Sequence, residues 1–168
     1  PEARKAHKLK GWDGSMPIPT GYDEPIAWLP MRWDNSSGGQ VYVTSDQWGP
    51  WKGSPLFMSY GKCLLYGVGM DTVGGVTQAS LVPFGLKFQS GIMRGRFHPK
   101  DGQLYLAGLK GWQNAATRDG GFYRVRYTGQ PVRTALKAHA AENGLKITFS
   151  TPLKPEVAKD ASNYAGEL

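Results

Sequence analysis

From residue 24 onward the chain is built of short apolar runs, each closed by Gly, Asp, Asn or Pro. Runs rich in Val, Ile, Tyr, Phe and Trp with a period of two suit pleated, half-buried strands and not helices. The pattern predicts strands over 25–29, 40–44, 56–60, 63–68, 77–83, 91–97, 103–107 and 122–127. Residues 1–23 hold no sustained period of 2 or 3.6, and Gly11, Gly14, Pro17, Pro19 and Gly21 crowd them, so they are expected to form a linker or extended arm.

A weak repeat organises the middle of the chain. Gly39-Gln40-Val41-Tyr42-Val43 returns as Gly102-Gln103-Leu104-Tyr105-Leu106, each ahead of a Trp-containing loop. In both copies alternate apolar residues would face one side of a strand that follows a Gly turn. Eight strands in two similar groups suit two four-stranded blades of a β-propeller spanning 24–130. Beyond Tyr127 the composition shifts: Thr128-Gly129-Gln130-Pro131 is a turn, and Asn143-Gly144 lies between two β-capable runs, the second alternating strictly over Leu145–Phe149. An Asn-Gly pair in that setting predicts a β-hairpin. The final stretch, 131–168, holds too few strands for a sandwich of about seven, so it is expected to be the start of an incomplete domain.

Composition narrows the picture. At 168 residues the chain is too short for a whole propeller, and from the opening Pro1 the start is expected to be a processed end or a point inside a longer protein. Twenty-three glycines and twelve prolines fit a turn-rich all-β architecture. Net charge is +7, part of it in the run Arg4, Lys5, His7, Lys8, Lys10, which reads as a solvated arm. The other cations are scattered among strand residues and acidic turns, so no nucleic-acid partner is expected. The apolar run near Leu64–Met70 is far below the roughly 20 residues a membrane span needs. Cys63 stands alone, which excludes a disulfide framework, a paired-thiol metal site and covalent haem in this chain, and its expected place is a small buried apolar position.

Four stretches then carry a resemblance: Trp48-Gly49-Pro50-Trp51-Lys52-Gly53-Ser54-Pro55-Leu56-Phe57; Tyr60-Gly61-Lys62-Cys63-Leu64-Leu65-Tyr66; Arg94 through Tyr105; and Gly120-Gly121-Phe122-Tyr123-Arg124-Val125. In this order they resemble the last blades of the glucose/sorbosone dehydrogenase family, particularly its large planctomycete- and verrucomicrobial-type relatives. Residues 131–168, with Ile147-Thr148-Phe149-Ser150-Thr151-Pro152-Leu153 and Ala161-Ser162-Asn163-Tyr164, resemble the opening of the immunoglobulin-like domain that follows the propeller there. The resemblance implies a periplasmic or extracellular protein acting on or binding sugars. It also implies pyrroloquinoline quinone (PQQ) as cofactor and calcium in the full-length protein. The partners implied are the remaining propeller blades, a sugar ligand and a haem-carrying module.

The same resemblance points to individual residues. The family's catalytic histidine lies in an earlier blade, and none of His7, His98 and His139 falls at its motif, so the chain is catalytically incomplete by itself. An Arg-x-Arg pair would hold the quinone's carboxylates, as a planar guanidinium can. Alignment on Leu104-Tyr105 sets Arg94 at the second position and Ile92 at the first, with Arg96 able to take the missing role if it projects to the same face. Lys62 falls near the family's cofactor-contacting lysine, where it reads equally as a strand-edge lysine that discourages sheet pairing. Trp48, Trp51 and Trp112 lie in expected loops and suit either sugar stacking or plugging the gap between blades. Asp34, Asp71, Asp101 and Asp119 are expected in turns without calcium-loop spacing, and no metal site is expected. Asn35-Ser36-Ser37 reads as a polar turn. Two other functions remain open: a glycan- or protein-binding module without catalysis, and a structural segment of an extracellular electron-transfer assembly.

Overall fold

The computed structural model describes Gly21 and residues 23–165. The expected 1–23 arm, with its basic run, lies almost entirely outside the described residues. The fold is all-β, with nine strands in three antiparallel sheets among the described residues. The first sheet holds β1 (Ser37–Tyr42), β2 (Pro55–Ser59), β3 (Leu64–Val73) and β4 (Val76–Lys87) in chain order. The second holds β5 (Gly91–Phe97), β6 (Leu104–Leu109) and β7 (Gly120–Val125), again in chain order. A hairpin of β8 (Ala135–Ala141) and β9 (Gly144–Phe149) follows, then a short helix α1 (Pro155–Lys159). No helix among the described residues is long and apolar enough to cross a membrane.

Three expectations are corrected. Residues 25–29 form no strand; they run irregularly beside the first sheet, touching it through the Ala79 N–H, which donates to the Ile26 carbonyl at 2.7 Å. Two Pro residues, Pro25 and Pro30, bracket the segment and withhold ladder donors. The grouping into two four-stranded sets gives way to sheets of four and three, because the 77–83 run closes the first sheet as part of β4. The repeat also maps onto unequal positions: Gly39–Tyr42 lies in β1, at the edge of its sheet, whereas Leu104–Leu106 lies in β6, in the middle of its own.

Period-two alternation assembles the core. Leu56, Met58 and Leu65 of the first sheet turn one way with Val82 and meet Ile92, Leu104 and Leu106 of the second in one buried cluster. Phe57, Tyr66 and Val68 turn the other way and are covered by Leu29 of the irregular segment. The two sheets meet where β1 crosses β5. There a Cβ on Gly38 would run into the Ile92 carbonyl oxygen and one on Gly39 into that of Met93, so only glycine admits this backbone-to-backbone approach. The β3–β4 hairpin turns on Gly74-Gly75, both with positive φ (57° and 84°), as a tight two-residue turn requires.

The predicted β8–β9 hairpin forms, displaced by one residue: Ala141 pairs with Gly144, so Glu142 and Asn143 make the turn. It docks on the first sheet. The Ala138 N–H donates to Ser80 Oγ at 3.1 Å, and β8 crosses β3 at Gly69, where a Cβ would strike the Leu136 carbonyl. Asp71, expected in a turn, lies in β3 and binds His139 (Nδ1 to Oδ2, 2.6 Å) and Lys137 (Nζ to Oδ1, 3.4 Å).

Candidate functional site

The second sheet has one face against the core and one open. Register gives the open face cross-strand rows: Arg94 opposite Ala107 opposite Phe122, and Arg96 opposite Tyr105 opposite Arg124. Arg94 and Arg96 therefore share a face, two residues apart on β5. Between them Gly95 points inward, where a Cβ would crowd Leu106 and the Met58 sulfur. Ile92, expected at the other position of an arginine pair, is fully buried in the core. A register shift between Ile92 and Arg94 separates the two positions, so Ile92 belongs to the inner packing while Arg94 and Arg96 project from the open face.

A shallow cavity of about 580 Å³ lies along this face, lined by Arg94, Arg96, Phe97, His98, Tyr105 and Phe122 among others. Tyr105 and Phe122 stack with ring centroids 5.7 Å apart and planes 26° from parallel. Phe122 is 74% exposed. The Tyr105 hydroxyl donates to Asp101 Oδ2 at 2.8 Å, and the Gln103 N–H donates to Asp101 Oδ1 at 3.0 Å. That backbone donor first, then the Tyr105 hydroxyl and the nearby His98 and Arg124, hold the Asp101 carboxyl below its usual range despite some desolvation. Arg94 and Arg96 each donate to a neighbouring backbone carbonyl, Met93 O at 2.9 Å and Gly95 O at 2.7 Å. Among the described residues neither guanidinium pairs with a carboxylate.

The other expected site residues lie elsewhere. Lys62 occupies the β2–β3 turn, its N–H donating to Ser59 Oγ at 2.9 Å, and it does not line the arginine cavity. Ser59 Oγ in turn donates to buried Asp34 at 2.5 Å, so this turn is a structural knot. Cys63 is fully buried there, at φ 58°.

Trp48 and Trp51 do not stand in an exposed loop. They belong to a 3-10 helix, Asp46–Trp51, whose first turn is capped by Ser45 Oγ accepting from the Gln47 N–H at 3.2 Å. Gly49, at φ 51°, kinks that helix and drops both indoles between the sheets. Trp48 meets Phe97 edge-on at 5.1 Å and Trp51 meets Phe84 at 4.9 Å while lying over Gly67. At 3% and 4% exposure neither can offer a face to a ligand without opening the core, and both pack within the main hydrophobic cluster. Trp112 is 87% exposed in the β6–β7 connection, away from the cavity lining.

The pair Tyr105–Phe122 was missed by motif reasoning. Its signal was available in the alternation of β6 and β7, once the register set Ala107 opposite Phe122. Of the quinone-holding set implied by the resemblance, then, Arg94 and Arg96 come together, Lys62 stays apart and Ile92 is core. The described residues hold no cluster of three or more His, Cys, Asp or Glu side chains that could bind a metal ion. Comparison with family models, curated proteins and solved structures finds no match to this chain.

Proposed function

We propose that this chain is the C-terminal part of an exported, glucose/sorbosone dehydrogenase-like β-propeller, two blades followed by the opening of an immunoglobulin-like domain, and that it binds sugars or their derivatives. One observation carries the reading. Two antiparallel sheets, each running in chain order, succeed one another and pack face to face with their first strands at closest approach, the arrangement by which blades stack around an axis. The buried indoles of Trp48 and Trp51 serve this stacking, filling the wedge between the sheets. Periplasmic or extracellular placement, the remaining blades and a haem-carrying module as partners belong to the same proposal.

In the complete polypeptide PQQ would supply the hydride acceptor and calcium would accompany it, while the base would come from a blade outside this chain. Arg94 and Arg96 are the residues here suited to the quinone's carboxylates. The test adds PQQ and calcium to the complete polypeptide and follows dye-linked oxidation of a panel of aldoses. Quinone-dependent turnover that falls when both arginines become glutamine is the expected result. Absence of turnover together with absence of any saccharide binding overturns the proposal.

A second reading, a binding module without catalysis, is favoured by the burial of Ile92 where a quinone-holding arginine was expected. Saccharide binding with no turnover under the same conditions selects it.

A further inference from the structure

We propose that the seam between the two sheets is a binding site for a small aromatic carboxylate, separate from the open face of the second sheet and independent of the sugar reading. A cleft of about 410 Å³ opens there, within the range of small-ligand sites. One side is the end of β4, from Pro83 to Leu86; the other is Val125 at the end of β7, with Arg126 and Tyr127 after it. Trp48 and Trp51, both buried, meet the cleft from the core, and Val132 to Thr134 of the connection to β8 border it as well. A further blade would stack on an open sheet face, whereas this seam already has a sheet of the chain on each side. No neighbouring sheet is left to fill it.

Three observations give the occupant its chemistry. First, two rings are held in place at the cleft before any ligand arrives. Phe84 meets the buried Trp51 edge-on at 4.9 Å, and Tyr127 lies against the bare backbone of Gly49, where a Cβ would stand 2.9 Å from its ring. Rings fixed in this way offer apolar surface at little ordering cost and favour offset or edge-on contact with another ring. Second, three donors border the cleft without an acceptor. Among the described residues the guanidinia of Arg126 and Arg133 make no ion pair or hydrogen bond, and neither does the Tyr127 hydroxyl. A guanidinium fork meets a carboxylate bidentately, and a phenol can donate to one. Third, no Asp or Glu lines the cleft, so a cationic ligand would face two like charges with no anion beside them.

These features select together. A neutral ring would leave the three donors unused, and an aliphatic acid would give the two rings a poorer partner. An aromatic acid satisfies both halves of the cleft.

The test titrates this chain and the complete polypeptide by calorimetry with cinnamate, cinnamamide and octanoate. Cinnamate is expected to bind, less tightly as salt is added, and about tenfold or more tighter than cinnamamide, which cannot make the charge-assisted contacts. Arg126→Gln/Arg133→Gln should weaken cinnamate binding by about tenfold or more and Tyr127→Phe by about threefold. Val132→Trp, at an exposed position, should fill the cleft and abolish binding. Each variant should keep its circular dichroism spectrum. Equal affinity for cinnamamide overturns the role of the carboxylate, and equal affinity for octanoate overturns the aromatic selection. Unchanged cinnamate binding in the double arginine variant or in Val132→Trp overturns the site. Binding to this chain but not to the complete polypeptide overturns the inference by giving the cleft to another segment of the protein. Absence of cinnamate binding to both overturns it too and leaves the sugar-binding proposal standing, since that test reads saccharides and turnover at other residues.

Discussion

Replacing Trp51 by alanine separates a packing role from a ligand role. Trp51 is 4% exposed, its ring meets Phe84 at 4.9 Å and 71°, and it lies on the bare backbone of Gly67. Truncation of a buried Trp costs about 3–5 kcal/mol, the transfer term plus the cavity left behind. The upper part of that range is expected here, because Gly67 has no side chain to relax into the space. For a chain of this size about 2–4 °C of melting temperature goes with each kcal/mol, so a fall of roughly 6–20 °C should follow. Trp112, 87% exposed, is the control, and its change to alanine should stay within about 0.5 kcal/mol. The assay is urea and thermal unfolding followed by far-ultraviolet circular dichroism, which does not depend on indole fluorescence. A cost below about 1 kcal/mol at Trp51, where core truncations run to 3–5 kcal/mol, would refute the wedge reasoning and restore the indole as a ligand platform.

Gly39→Val should destabilise by about 1–3 kcal/mol, since its side chain would be forced against the Met93 carbonyl of the other sheet; the urea midpoint reports it. The Asp71 carboxyl is held below its usual range, first by the His139 hydrogen bond and then, against some desolvation, by His139 charge and Lys137. An acid whose folded-state value is lowered stabilises above its unfolded value and loses that contribution as pH falls through the lowered one. Protection of the Ala138 amide against hydrogen exchange should therefore hold at neutral pH and fall below about pH 4. In Asp71→Asn it should already be reduced at neutral pH; equal protection in the two proteins would contradict the clamp. Burial pushes the Cys63 thiol up, with Lys87 and the Ala115 N–H only partly opposing, so alkylation should be slow in the folded chain and rapid in urea. Fast labelling without denaturant would show that the β2–β3 turn opens.

Strand positions were legible where alternation ran undisturbed, as at 145–149. They blurred where glycine breaks the apolar count. The 64–68 part of the first run and the whole 77–83 run lie in a longer hairpin, Leu64–Val73 and Val76–Lys87, whose β3 extension carries Asp71 and Thr72 and so hides among polar residues. The turn between them, Gly74-Gly75, is a hairpin signal that a search for apolar runs passes over. Residues 25–29 are apolar enough for a strand yet have Pro25 at one end and Pro30 just beyond the other, and local apolarity says nothing about ladder donors. The site was legible in part. That Arg94 and Arg96 share a face follows from period two alone, whereas the inward turn of Ile92 follows from a register shift that depends on pairing with β6. Indoles beside Gly and Pro looked like loop residues because nothing local states that Ser45 caps a helical turn and that Gly67 offers a flat bed across the sheet.

The Gly38–Gly39 crossing sets the gap between the sheets by the thickness of two main chains, a dimension no substitution in the hydrophobic interior can alter. Volume added or lost among Leu56, Leu65 and Leu104 must therefore be taken up as an angle, the sheets fanning about that pinned corner like covers about a spine. Because Trp48 and Trp51 are buried in the cluster shared by the two sheets, their bulk helps set how far the covers stand apart.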